Sequence, residues 1–143
     1  MKEPATILII EDHLGIVDAL HLLLSEEGYQ VEAWTHEGMV HPLVSPLPDL
    51  ILLDLLLGGM DGKTLCQQFK GAFATQHIPV ILMSANKRVA SVAREVGADA
   101  WLLKPFLPED MLELLDHYVQ RGEKTDDQLL EPTHQAMREE ERC

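Results

Sequence analysis

Apolar residues gather along this chain in five short runs: Ala5–Ile10, Gln30–Trp34, Leu50–Leu53, Val80–Ser84 and Ala100–Leu103. Each has the length of a strand and is filled almost continuously, without strict alternation, as expected for strands covered on both faces of a parallel sheet. Between the runs, apolar positions fall at helical spacing. Ile16, Val17, Leu20, Leu23 and Leu24 form a first stripe, closed by Gly28 at its C-cap. Leu65, Cys66, Phe69 and Phe73 form a second after Asp61-Gly62, and Val89, Val92, Ala93 and Val96 a third before Gly97. Met111, Leu112, Leu115, Tyr118 and Val119 form the last, with Pro108 in its first turn. His36–Ser45 reads as a further short helix whose length Pro42 limits. Strand and helix therefore alternate as (βα)₅. Right-handed crossovers then place helices on both faces of a five-stranded parallel sheet, a doubly wound α/β sandwich.

The periodic pattern sets one domain over residues 1–121 and leaves 122–143 as a polar, acidic tail. A short helix over 133–142 is expected there, without a core of its own. With 143 residues, 46% hydrophobic and 24% charged, the chain can bury a real core. No apolar run approaches the ~20 residues that span a membrane, and the first ten residues lack the form of a signal peptide, so the expected location is the cytoplasm. Cys66 and Cys143 are too few for a disulfide framework. A net charge of −13 opposes attraction to phosphate backbones and anionic lipid, which speaks against direct DNA binding and against a membrane partner.

Ligands of open parallel sheets bind at the carboxyl ends of the strands, where the strand order reverses. The first strand ends in Glu11-Asp12, the third in Asp54, the fourth in Ser84 and the fifth in Lys104; the second offers nothing. With the order 2-1-3-4-5, Glu11, Asp12 and Asp54 meet in one crevice. Three carboxylates so placed need protons or a cation, and an all-oxygen site suits Mg²⁺ or Mn²⁺. A carboxylate beside such an ion can attack a phosphoryl group, with Lys104 as a fixed positive charge and Ser84 as a hydroxyl donor.

At these residues the sequence resembles the receiver domain of two-component response regulators. The matching pieces are Ile7-Leu8-Ile9-Ile10-Glu11-Asp12, Asp49-Leu50-Ile51-Leu52-Leu53-Asp54, Met60-Asp61-Gly62, Ile78-Pro79-Val80-Ile81-Leu82-Met83-Ser84-Ala85, Gly97-Ala98-Asp99-Ala100 and Lys104-Pro105-Phe106. The resemblance implies a flavodoxin-like fold and makes Asp54 the phosphoacceptor. Glu11 and Asp12 become the acid pair at the metal, the backbone carbonyl of Leu56 a further ligand, and Ser84 and Lys104 the hydroxyl and the lysine, with a cis proline at Pro105. Trp101 takes the place of the switch aromatic. Two residues depart from the family's pattern. Gly58 stands where proline is common, leaving that loop looser. Trp101 replaces a tyrosine or phenylalanine, which puts the usual inward swing in doubt; it reads equally as a large residue covering the sheet's end. His13, beside the acid pair, reads as a helix-start residue and not a ligand.

The resemblance implies a phosphorylation-controlled signalling module without an output domain, phosphorylated from a sensor histidine kinase or phosphotransfer protein. Its output is then a contact with a downstream protein, and a phosphorylation-linked dimer stays open. No separate substrate turnover is expected beyond hydrolysis of its own aspartyl-phosphate. A pseudo-receiver that binds partners without phosphate is the main alternative. An aspartate-nucleophile phosphatase of the haloacid dehalogenase type is disfavoured, because Leu56 stands where that family wants a second aspartate. Flavin binding is weaker still: the loop over residues 12–15 opens with an acid where a phosphate cradle needs free amides.

Overall fold

The computed structural model describes residues 3–58 and 61–123. Five strands, β1 (Thr6–Ile10), β2 (Gln30–Trp34), β3 (Leu50–Asp54), β4 (Val80–Ser84) and β5 (Ala100–Leu103), pair in parallel in the order β2-β1-β3-β4-β5. The fold is the expected doubly wound, flavodoxin-like sandwich. Ile7 to Ile10 of β1 and Leu50 to Leu53 of β3 are fully buried, which only strands covered on both faces can be. Their side chains alternate between two cores. Ile7, Ile9, Leu50 and Leu52 meet helices α1 (Leu14–Glu26) and α4 (Pro108–Glu123), while Leu8, Ile10, Ile51 and Leu53 meet α2 (Gly62–Gly71) and α3 (Val89–Val96). Burying each such side chain contributes about 1.5–3 kcal/mol.

The helix ends follow local chemistry. His13 caps α1, its Nδ1 accepting from the Ile16 amide at 3.2 Å, which gives it the helix-start role read from the sequence. Glu27 is the C-cap of α1, and Gly28 follows it at φ 94°, the left-handed geometry that glycine supplies without strain. Asp61 caps α2 through the Lys63 amide, and the hydroxyl of Thr64 donates to it and draws its carboxyl below the usual value. Gly97 closes α3 at φ 80°.

Two expectations are corrected. The helix expected over 36–45 is a single 3-10 turn, Glu37–Met39, followed by irregular chain to β3. Pro42 removes an amide donor that a helix there would need, and Pro46 and Pro48 follow just beyond it. The sheet is therefore flanked by four α-helices among the described residues, and (βα)₅ holds for four of the five units. Phe73 does not extend the stripe of α2: the helix ends at Gly71, and Phe73 is 89% exposed. Helix α4 runs two residues past the boundary set at 121, and the tail helix expected over 133–142 lies outside the described residues.

Candidate functional site at the carboxyl rim of the sheet

Strand register assembles the site. Ile10 pairs with Leu53, so Glu11 follows β1 at the level of Asp54, the last residue of β3. Asp54 pairs with Met83, and Ser84 pairs with Leu103, so Ser84 and Lys104 stand at the same rim. The backbone fixes these ends further: the Glu11 amide donates to Trp34 O at 3.1 Å, Leu55 N to Met83 O at 2.9 Å and Lys104 N to Ser84 O at 2.8 Å. The Lys104–Pro105 bond is cis, as the resemblance implies.

The Lys104 ammonium bridges the two buried acids. Its Nζ lies 2.5 Å from Asp54 Oδ2 and 2.9 Å from Glu11 Oε1. Asp54 is 4% exposed and Glu11 1%, so both carboxylates sit where charge is costly without a partner. One ammonium cannot neutralise both. Burial, then the hydrogen bond and the charge of Asp54, push Glu11 up to about 7, against the pull of Lys104. Burial works to lower the Lys104 pKa, but the hydrogen bonds to Asp54 and Glu11 overcome it and hold the ammonium above its usual value. Asp54 also accepts the Leu56 amide on Oδ1 at 2.8 Å, and Glu11 the His13 amide at 3.2 Å. The Ser84 hydroxyl is buried; it accepts the Asn86 amide at 3.0 Å, and its proton has no acceptor among the described residues.

Asp12 departs from expectation. Its exposed carboxylate is turned to the loop after β3, where Oδ2 accepts the Gly58 amide at 2.6 Å. A proline at position 58 has no such proton to give, so the departure from the family's pattern has a structural counterpart. Accordingly, among the described residues no three carboxylate, imidazole or thiolate groups are gathered closely enough to cage a metal. Asp12 and Asp54 still offer hard oxygen donors on adjacent strand ends, which fits a small divalent cation once Asp12 leaves Gly58. Trp101 is 2% exposed, packed into the core with α2 and α3, and the guanidinium of Arg94 lies 5.2 Å over its ring. The indole already occupies the inward position that its bulk had put in doubt. Sequence reasoning missed Gly58 as the partner of Asp12, and Asn86; the one available signal was the glycine in place of proline.

A parallel sheet whose carboxyl rim joins an acid pair, a buried aspartate, a hydroxyl and a lysine defines the class of phosphorylation-controlled signal receivers. The sequence model of the response regulator receiver domain matches residues 7–116, and the chain belongs to this family. The phosphate regulon transcriptional regulatory protein PhoB of Escherichia coli is 34% identical over 118 residues, 80% of this chain and 52% of its own length. The DNA-binding dual master transcriptional regulator RpaA of Synechocystis is 35% identical over 121 residues, 82% of this chain and 50% of its own length. The chain thus spans about half the length of the curated relatives it matches. Among solved structures, a CheY-like receiver domain protein from Methanospirillum hungatei has a TM-score of 0.76 at 26% identity, over 84% of this chain and 97% of its own. The signal receiver domain of a signal transduction histidine kinase from Syntrophus aciditrophicus has a TM-score of 0.71 at 29% identity, over 85% and 94%. Receiver domains are signalling modules that interact with a histidine kinase or phosphotransfer partner and generally bind Mg²⁺ for phosphorylation. No helix among the described residues is long and apolar enough to cross a membrane.

Proposed function

We propose that Asp54 accepts a phosphoryl group from a histidine kinase phosphohistidine and that the modified domain, residues 1–121, switches a protein-interaction surface. The observation that carries this reading is the Lys104 ammonium held between Asp54 and Glu11 at 2.5 and 2.9 Å. A carboxylate oxygen of Asp54 attacks phosphorus, the P–O bond forms as the P–N bond breaks, and the electron pair of that bond returns to the imidazole. Lys104 holds the Asp54 carboxylate in place for the attack and then balances the transferred oxygens. Ser84 donates its hydroxyl proton to one of those oxygens. Asp12, Asp54 and the Leu56 carbonyl, with Glu11 behind them, would hold Mg²⁺, which when bound neutralises further phosphoryl charge. Hydrolysis of the aspartyl-phosphate by water returns the domain to its starting state.

Incubation with acetyl phosphate and Mg²⁺, followed by intact mass, tests the assignment. Wild type gains one phosphoryl group and Asp54→Asn none; equal gain in both refutes it. A second reading, a partner-binding module not controlled by phosphate, draws support from the burial of Trp101, which leaves no inward swing to make. Amide exchange with and without beryllium fluoride separates the two. Altered protection over residues 84–118 in wild type and Trp101→Phe supports the switch, and unchanged protection with the mimic bound supports the static module.

A further inference from the structure

Just past the end of α2 a bulky aromatic side chain stands in water. Phe73 is 89% exposed, although the turn that carries it is firmly held. The buried Thr75 hydroxyl donates to Phe69 O at 2.6 Å. The Thr75 and Gln76 amides donate to Ala72 O at 3.1 and 2.8 Å, and the Ile78 amide donates to Thr75 O at 3.0 Å. The ring is therefore presented by a fixed backbone, and covering it costs little further ordering of the chain. Beside it a cavity of about 380 Å³ opens between α2 and the segment that leads into β3. Val40 and Leu43 form one wall and Leu65 and Phe69 the other, while Ala72 and Ala74, on either side of Phe73 in the chain, form the lip. The ring of His41 lies 4.8 Å from that of Trp34, which ties the outer wall to β2. Clefts that take small ligands measure ~300–1,000 Å³, so this one has room for a phenyl ring, and Phe73, so exposed, does not fill it.

Charge singles out the same face. On a chain of net charge −13, residues 38–48 and 62–78 contain no acid. The lysines among them are engaged: Lys63 pairs with Glu95 at 2.6 Å, and Lys70 pairs with Asp99 at 2.9 Å while donating to Ile78 O at 3.0 Å. The face is thus neutral and apolar, and it offers neither a basic nor an acidic partner the charge that would select it. Two copies of so acidic a chain repel one another wherever their acids meet, and on this face they do not meet. Knob and hole also lie on one patch, as a two-fold contact requires, because each copy must present the same surface to the other.

We propose that a second copy of this chain seats here across a two-fold axis, the Phe73 ring of each copy entering the other's cavity between α2 and the segment before β3. The contact is remote from the reaction centre. Helix α2 starts against that centre, where a Cβ added at Gly62 would strike Asp54 O, and it ends at Gly71, about 14 Å further along its axis. Association is therefore independent of phosphoryl transfer, and it stands whether or not Asp54 accepts a phosphoryl group.

Sedimentation equilibrium of the full chain at rising concentration should show a reversible monomer–dimer system. Added salt should tighten it, because salt screens the repulsion between two acidic copies and weakens no ion pair at the contact. Phe73→Ser, which removes only an exposed ring, should raise the dissociation constant at least about tenfold, since both knobs are lost, and should melt as wild type does at low concentration. Gln68→Glu, at the exposed edge of the cavity, touches no apolar group and adds an acid to the face of each copy; it should weaken the dimer by a smaller factor, most clearly at low salt. On dilution, the amide resonances of 40–43 and 68–75 should move and those of 88–103 should stay. Beryllium fluoride with Mg²⁺ should leave the dissociation constant unchanged. A chain that stays monomeric at every concentration overturns the proposal. So does a dimer that Phe73→Ser leaves intact, one that salt loosens, or one that moves the resonances of 88–103 instead. Oligomers that grow past two copies overturn the reciprocal seating, and a constant that shifts with the mimic overturns the independence from the reaction centre.

Discussion

Replacing Lys104 by methionine keeps most of the bulk of the side chain and removes its charge from between two acids that are 4% and 1% exposed. Breaking a buried ion pair from one side costs about 3–5 kcal/mol, and the lower end is expected here, because the Lys104 side chain keeps some exposure and Glu11 can take up a proton. The pH dependence carries the sharper test. In the native protein Glu11 titrates at about 7, against 4.5 for the free group. Between those values the folded state holds a proton that the unfolded state has released, so stability falls as pH rises through the window, by about 3 kcal/mol from this group alone. In Lys104→Met the titration of Glu11 moves above 7, and the falling limb extends further into alkaline pH. The titration of Lys104 itself lies above 10.5, outside this range. The deficit of the variant relative to wild type should therefore be smaller at pH ~5 and approach about 3 kcal/mol at pH ~8. Urea unfolding followed by circular dichroism, in EDTA, measures both proteins across that range. A deficit that is independent of pH, or larger at the acid end, would refute the shared-ammonium account.

Other residues give independent tests. Gly58→Pro deletes the amide that holds Asp12, so Mg²⁺ titrated against tryptophan fluorescence should bind roughly fivefold more tightly, the equivalent of a hydrogen bond worth about 1 kcal/mol; unchanged affinity would show that this contact does not compete with the metal. At Gly62 an added Cβ would meet Leu55 Cα at 2.8 Å and Leu55 O at 3.0 Å, so Gly62→Ala should lose about 1–3 kcal/mol and melt several degrees lower. An unshifted melting curve would mean that this backbone yields freely. Cys66 is fully buried, and burial pushes its thiol up to about 11, so in a Cys143→Ser background iodoacetamide should leave the native protein unlabelled at pH ~8 and label it in urea. Labelling of the native state would report local opening of α2.

The strands were legible because burial on both faces demands contiguous apolar residues, a signal that survives without knowledge of neighbours. Each observed strand agrees with its run to within one residue. The helix expected over 36–45 shrank to one 3-10 turn: Pro42 was read as limiting its length, but ahead of that proline the segment has no apolar stripe of helical spacing to hold even a short α-helix on the sheet. Phe73 misled by its spacing, lying four residues beyond Phe69 but past the glycine where α2 stops. The site residues were legible as types, since parallel topology sends every strand's carboxyl end to one rim. Their partners were not. Whether Asp12 faces Asp54 or the Gly58 amide depends on side-chain rotamers and a loop path that no spacing rule encodes, and the same holds for one lysine serving two acids.

Strand β2 gives the rim no side chain; its part is the Trp34 carbonyl that receives the Glu11 amide, and that duty ends where the strand ends. Everything from Thr35 to the start of β3 is therefore released from the chemistry, in a way that the connections leaving β1, β3, β4 and β5 are not. Those four carry the acid pair, the loop that grips Asp12, the hydrogen bond from Asn86 to Ser84 and the Lys104–Pro105 turn. This is the stretch in which the structure has a single 3-10 turn and a proline-rich path. Among the described residues this stretch is a seam along which length and shape can drift without retuning the reaction centre, and a graft, tag or reporter domain inserted near Val44, 68% exposed, should be tolerated there.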